Sequence, residues 1–186
     1  MTRLAPLDPP YAPEVAADLE RLMGRASDLE PLALFRTIAH HPVLLERFRQ
    51  IGSSLLSFGR LEPADRELVI HRVTARCGAG YEWGVHARLF APALGLDDAW
   101  LRATWHGTAD DPAFTSRQAL LVRVVDELHD TGALTDATAA ALHAELTPDL
   151  VVEVVCLAGF YHLVSFCCGA FALEPEPWAV APPAPA

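Results

Sequence analysis

Apolar residues recur through most of the chain at a spacing near 3.6, punctuated by prolines and glycines, and this predicts one helix after another. Pro13–Met23 reads as a short helix stopped by Gly24, and Pro31–Ala39 as another with Leu34, Phe35 and Ile38 on one side. Pro42 opens a longer helix to about Phe58, ended by Gly59. These prolines stand where helices begin, where a missing N–H is harmless. The helix from Glu62-Pro63 carries Glu67, Leu68, Val69, Arg72, Val73 and Arg76, and Gly78 and Gly80 break it. The next runs from about Tyr81 to Leu94, carries Glu82 and His86, and is ended by Gly95.

Asp97 and Asp98 cap a short helix through Trp105, and the polar stretch His106–Phe114 reads as a loop, a candidate lid. Thr115-Ser116-Arg117-Gln118 has the form of a capping box before an apolar run. That helix reaches about Asp130, with Asp126, Glu127 and His129 expected on a solvated face. Thr135/Asp136 start another through Leu146, and Thr147 is the expected N-cap of a long apolar helix. Val151, Val152, Val154 and Val155 favour strand locally, but the uninterrupted length favours helix. The pattern predicts an all-α, single-domain bundle of about nine helices over residues 1–174. The Pro/Ala-rich tail, 175–186, cannot continue a helix, and is expected to be either disordered or an arm laid on a neighbouring subunit.

A length of 186 residues suits one domain with a substantial core. Apolar residues at 52% are too many for a disordered chain. A net charge of −10 without any basic cluster argues against nucleic acid as a partner and against anionic membranes. Leu150–Leu173 is long enough to span a bilayer. Glu153, His162, Gly159 and vicinal Cys167-Cys168 fit a helix buried in a soluble core or subunit interface better, since ionisable groups in a membrane are costly. The N-terminus has no secretory h-region and the cysteines have no CxxC spacing, so a reducing cytoplasm is expected. All 14 basic residues are arginine, which excludes Schiff-base lysine chemistry.

Candidate chemistry concentrates in Arg66–Phe90, RELVIHRVTARCGAGYEWGVHARLF. Glu82 and His86, at i and i+4, share a helix face, and a carboxylate beside an imidazole is a proton-transfer pair. Glu67 lies one helix earlier between apolar neighbours, where desolvation would raise its pKa and make it an acid. The plainer alternative is a surface or interface pair worth about 0.2–0.5 kcal/mol. Tyr81 and Trp83 flank the pair as packing residues or as a pocket wall, with the Tyr81 hydroxyl a donor. Tyr161 and His162 sit inside the apolar helix, as hydrogen-bonded core residues or pocket contacts. His40-His41 reads as a helix-junction pair. Glu82, His86 and His162 offer metal ligands, but no HExxH or paired Cys/His spacing supports a metal, and none is expected. No phosphate loop, nucleophile elbow or dinucleotide fingerprint is present.

The segments LFRTIAHHPVLLERF from Leu34, GRLEPADRELVIHRVTARCGAGYEWGVHARL from Gly59, VVDELHDTGALTD from Val124 and AGFYHLVSF from Ala158 together resemble the carboxymuconolactone decarboxylase and alkylhydroperoxidase D superfamily. The resemblance covers about Phe35–Phe171 and is most specific at YEWGVH with its upstream RELVI. It implies an all-helical subunit assembling as a homotrimer or homohexamer, with a site built around the YEWGVH helix. In the peroxidase branch that helix carries CxxC, three residues and a histidine, completed by an upstream glutamate. By position Glu67 matches the glutamate and His86 the histidine, while the cysteine positions fall on Ala79 and Glu82.

A CxxC peroxidase needs an attacking thiolate and a resolving thiol. Ala79 and Glu82 supply neither, and Cys77 is two residues off, so no thiol-dependent cycle of that type is expected. What remains fits cofactor-independent acid–base chemistry, decarboxylation or isomerisation of a small carbonyl, lactone or aromatic acid. His86 is then the general acid/base, Glu82 its partner and Glu67 the relay acid. Tyr81, Trp83, Tyr161 and His162 are the candidate substrate contacts. The rival expectations are a peroxidase-like or metal-dependent oxidative enzyme, and a non-catalytic oligomer that binds small molecules.

Overall fold

A computed structural model describes residues 3–24 and 28–184. Among the described residues the chain is all-α: α1 (Pro13–Met23), α2 (Ala33–Ile38), α3 (Pro42–Leu56), α4 (Pro63–Arg76), α5 (Gly80–Leu89), α6 (Asp98–His106), α7 (Ser116–Thr131), α8 (Asp136–Glu145) and α9 (Pro148–Phe171). A 3₁₀ turn, Pro92–Leu94, follows α5. The expected helix to Leu94 therefore ends five residues early, at Leu89. Pro92 has no N–H to give an α-helical ladder and restricts the residue before it.

The caps are local. Thr115 and Gln118 form a reciprocal capping box at α7, Asp97 accepts from Trp100 N at α6, and the His41 ring accepts from Leu44 N at α3. Thr147 stands at the N-cap position of α9 without a side-chain cap bond.

Helix α4 is the axle of the bundle and packs against α5, α6, α7 and α9. Leu68, Val69, Ile70 and Val73 are fully buried, and so are Glu67, His71 and Thr74. A helix covered on every side buries its polar residues as well, and each then needs a partner. Arg72 takes a bidentate pair with Asp126 of α7 (2.7 and 2.8 Å) and donates to the Gly107 carbonyl. Thr74 donates to the Ile70 carbonyl. Glu67 and His71 turn toward α5, and that places the candidate site between α4 and α5.

The solvated face expected on α7 is not one. Asp126 is committed to Arg72, Glu127 holds the start of α8 through Thr135 and Thr138, and His129 meets His162 of α9. The tertiary partners come from elsewhere in the chain, so periodicity gave no sign of them.

The tail lies on its own subunit as far as it is described. Glu176 accepts from Tyr81 Oη and Ala33 N, Val180 N donates to the Gly84 carbonyl, and His106 and Arg102 reach the Pro183 and Ala184 carbonyls. Gly84 is required for this approach: a Cβ there would stand 2.2 Å from the Val180 carbonyl oxygen. Helix α9 is long and apolar enough to cross a membrane. One side packs into the core, while the other exposes Val152 (61%), Val155, Leu163 and Phe166 (64%).

Candidate active site

The site is a buried string of hydrogen bonds across α4, α5 and α9. His86 Nδ1–H donates to Glu67 Oε2 at 2.7 Å. His86 Nε2 faces the Tyr161 hydroxyl at 3.0 Å and Glu82 Oε1 at 3.5 Å. Glu67 Oε1 is approached by the Arg66 guanidinium, 3.4 Å from Nε. His86 is 3% exposed, Glu82 6% and Glu67 fully buried. The Phe90 ring stacks on His86 at 4.7 Å and closes its open face.

Burial alone would lower the pKa of His86. The Glu67 charge and hydrogen bond outweigh it, Glu82 adds to both, and His86 is raised to about 9. Burial likewise favours protonated Glu67, but the His86 charge and hydrogen bond, then His71 and Arg66, hold the carboxyl below its ordinary range. This corrects the expectation of a desolvated, raised Glu67 acting as an acid. Glu67 is the anion that holds a proton on His86, because a charge-assisted bond and neighbouring cations overcome desolvation. The Tyr161 phenol is pushed well above its ordinary value by burial, then by the Glu82 and Glu67 charges, so it stays protonated.

His71 was not anticipated. It stands four residues after Glu67, repeating the Glu82–His86 spacing, and that repeat was the available signal. Its Nδ1–H donates to the Glu67 carbonyl at 2.8 Å, leaving Nε2 buried without a partner. Burial pushes it down to about 4 against the Glu67 charge, so it is a neutral imidazole behind the charged one. Glu82 Oε2 is likewise buried and unpartnered. A carboxylate oxygen left without a donor is costly unless something fills the place.

The other expected contacts divide. Tyr161 joins the string. Tyr81 accepts from Leu34 N and donates to Glu176, so its hydroxyl ties α5 to α2 and the tail. Trp83 donates to Thr104 Oγ1 and packs edge-on to Trp105 and His71 in the core. His162 points elsewhere, its Nε2 3.0 Å from His129 Nδ1, and so supplies no third ligand beside Glu82 and His86. Neighbours in sequence on a helix point about 100° apart, and so Tyr161 and His162 face different partners. Cys77 closes α4 and lies 3.8 Å from His129 Nδ1. Its thiol is raised by burial, against a Ser165 hydrogen bond and Arg76, and burial raises Cys167 and Cys168 too. Raised thiols carry little thiolate, the nucleophilic form.

No protein-family model and no curated protein matches the sequence. Solved structures match across nearly the whole chain. An uncharacterised peroxidase-related protein from Silicibacter sp. TM1040 superposes with TM-score 0.79 at 15% identity, covering 95% of this chain and 92% of that one. The debrominase Bmp8, in complex with 2,3,4-tribromopyrrole, gives 0.77 at 12% identity, covering 95% and 93%. An alkylhydroperoxidase AhpD core, a peroxidase-related protein from Ralstonia eutropha JMP134, gives 0.67 at 13%, covering 94% and 93%. The chain therefore has the alkylhydroperoxidase D-like fold, as the resemblance of its YEWGVH region implied.

Proposed function

We propose that this protein is a cofactor-independent acid–base enzyme of the carboxymuconolactone decarboxylase-like kind, acting on a small carbonyl, lactone or aromatic acid. The observation that carries the reading is the Glu67–His86 hydrogen bond, with Tyr161 and Glu82 at the far nitrogen of the same ring. The Glu67 anion fixes Nδ1–H, so the transferable proton sits on Nε2. In a decarboxylation the carboxylate carbon leaves as CO₂ and its bonding electrons pass into the substrate's conjugated carbonyl. His86 Nε2–H then protonates the resulting enolate at carbon, and the neutral imidazole regains a proton from water. Glu82 positions the substrate or the ring through the carboxyl oxygen that has no protein partner. A group used in this way contributes roughly 10²–10⁴-fold in rate.

The test is CO₂ release from a panel of unsaturated lactone acids. His86→Ala and Glu82→Gln are expected to abolish turnover while helicity and assembly are kept, and unchanged turnover in both rejects the assignment. Likeness to peroxidase-related proteins supports a second, oxidative reading, against which stand Ala79 and Glu82 at the thiol positions. Hydroperoxide turnover lost in Cys77→Ser would favour it. Closure of His86 by Phe90 supports a third, non-catalytic reading, for which a panel compound binds without turning over.

We also propose a homotrimer or homohexamer, in which the apolar outer face of α9 (Val152, Val155, Leu163, Phe166) meets another copy. The free cysteines suit the reducing cytoplasm.

A further inference from the structure

Away from the Glu67–His86 string, Cys77, His129 and His162 converge from α4, α7 and α9, their ligand atoms all within 4.8 Å of one another. His129 and His162 line a cleft of 290 Å³ together with Leu128, Val155, Ala158 and Gly159. We propose that these three side chains form a binding site for a zinc-class dication, with Cys77 Sγ, His129 Nδ1 and His162 Nε2 as ligands and a fourth position open to the cleft.

The separations suit one ion. Bonds of about 2.0 Å to nitrogen and 2.3 Å to sulfur at tetrahedral angles put N and N about 3.3 Å apart, and S and N about 3.6 Å apart. The nitrogens of His129 and His162 are 3.0 Å apart, and Cys77 Sγ is 3.8 Å from His129 Nδ1. The third pair, Cys77 Sγ and His162 Nε2, lies within 4.8 Å, and side-chain rotation closes it toward the ideal value. His162 is already oriented: its Nδ1–H donates to the Ala158 carbonyl at 2.8 Å, which fixes the tautomer and leaves the Nε2 lone pair facing its neighbours. Zinc-ligating histidines are held by such a bond on the other ring nitrogen.

The His129–His162 hydrogen bond accounts for the two imidazoles, and the Cys77 thiol, which also bonds Ser165, lies within ligand reach of both. Thiolate and imidazole are the donors that zinc takes, and a coordinating thiol is deprotonated on binding. The cation nearby, Arg76, pairs with Asp130 and lies 3.6 Å from Asp126, which offsets part of its charge. Three protein ligands with a free fourth position leave room for water or a small anion from the cleft.

The test uses the full chain, stripped with a chelator and titrated with Zn²⁺ against a chromogenic competitor, then with Co²⁺. One ion per chain is expected. Cys77→Ser, His129→Asn and His162→Ala should each weaken Zn²⁺ by more than the roughly 10–100-fold typical of losing a supporting residue. Co²⁺ should give a near-ultraviolet thiolate charge-transfer band that Cys77→Ser removes and Glu82→Gln keeps. Absence of stoichiometric binding by the wild-type chain overturns the proposal, however the variants fold. Binding that survives Cys77→Ser and His162→Ala but is lost in Glu82→Gln also overturns it, placing the ion at the acid–base site. These readouts do not depend on turnover, so failure of the acid–base reading would leave them intact.

Discussion

Two histidine clusters stand on α4, α5, α7 and α9, and they differ in one component. At His86 the neighbour is a buried carboxylate, and at His129 and His162 it is a half-buried thiol. The carboxylate makes His86 a cation held in a nearly closed space, raised to about 9. Without a close carboxylate bond, burial leads the lowering of His129, with Arg76 and His162 acting in the same direction. The same side chain is thus prepared as a proton carrier in one place and as a neutral imidazole, the ligand form, in the other.

The strongest way to break the comparison is to remove the carboxylate. Glu67→Ala leaves His86 and Arg66 facing a buried gap, and losing one partner of such a pair costs about 3–5 kcal/mol. Urea unfolding should show this loss, and NMR titration should find His86 well below 9, because Glu82 alone then opposes burial. A His86 value that stays near 9 would mean that Glu82, not Glu67, holds the proton.

The pH dependence of stability sharpens the contrast. His86 binds its proton more tightly folded than unfolded, so its contribution is complete below 6.5 and is lost as pH rises to about 9. His71 is opposite in sign. Its folded value near 4 lets the unfolded chain take the extra proton between there and 6.5, so stability rises with pH across that window. The lowered Glu67 adds stability present above 4.5 and lost as pH falls. Denaturation across this range should give a maximum near pH 6.5. His71→Leu should flatten the rise between 4 and 6.5, and His86→Gln the alkaline fall. A profile still rising at pH 9 would contradict the assignment.

The smallest expected effect is at the other cluster. His129→Ala in chelator-treated protein should change stability by about 0.5 kcal/mol or less, as half-exposed substitutions usually do. Saturating Zn²⁺ should widen the gap between wild type and variant, since a ligand that binds only the folded state stabilises it. An unchanged gap would leave the cluster a hydrogen-bonded pair.

Helix order, the capping box at Thr115 and the all-α class were legible along the chain, because caps and amphipathic periods act over a few residues. The Glu82–His86 pairing was legible for the same reason, as an i,i+4 spacing. The dominant partner of His86 was not, since Glu67 lies on another helix and its ionisation depends on which charges meet it after burial. His71 carried the same spacing from Glu67, yet nothing local distinguishes a neutral buried imidazole from a charged one.

The sequence by itself determined the order of the helices and which residues supply carboxyl, imidazole and thiol groups. Tertiary structure decided which of those groups meet. It sent Tyr161 to His86 and His162 to His129, laid the tail across Gly84, and turned Glu67 from the expected acid into an anion. The reason is physical: proton affinity and coordination depend on burial and on charges a few ångströms away, and those neighbours come from distant parts of the chain.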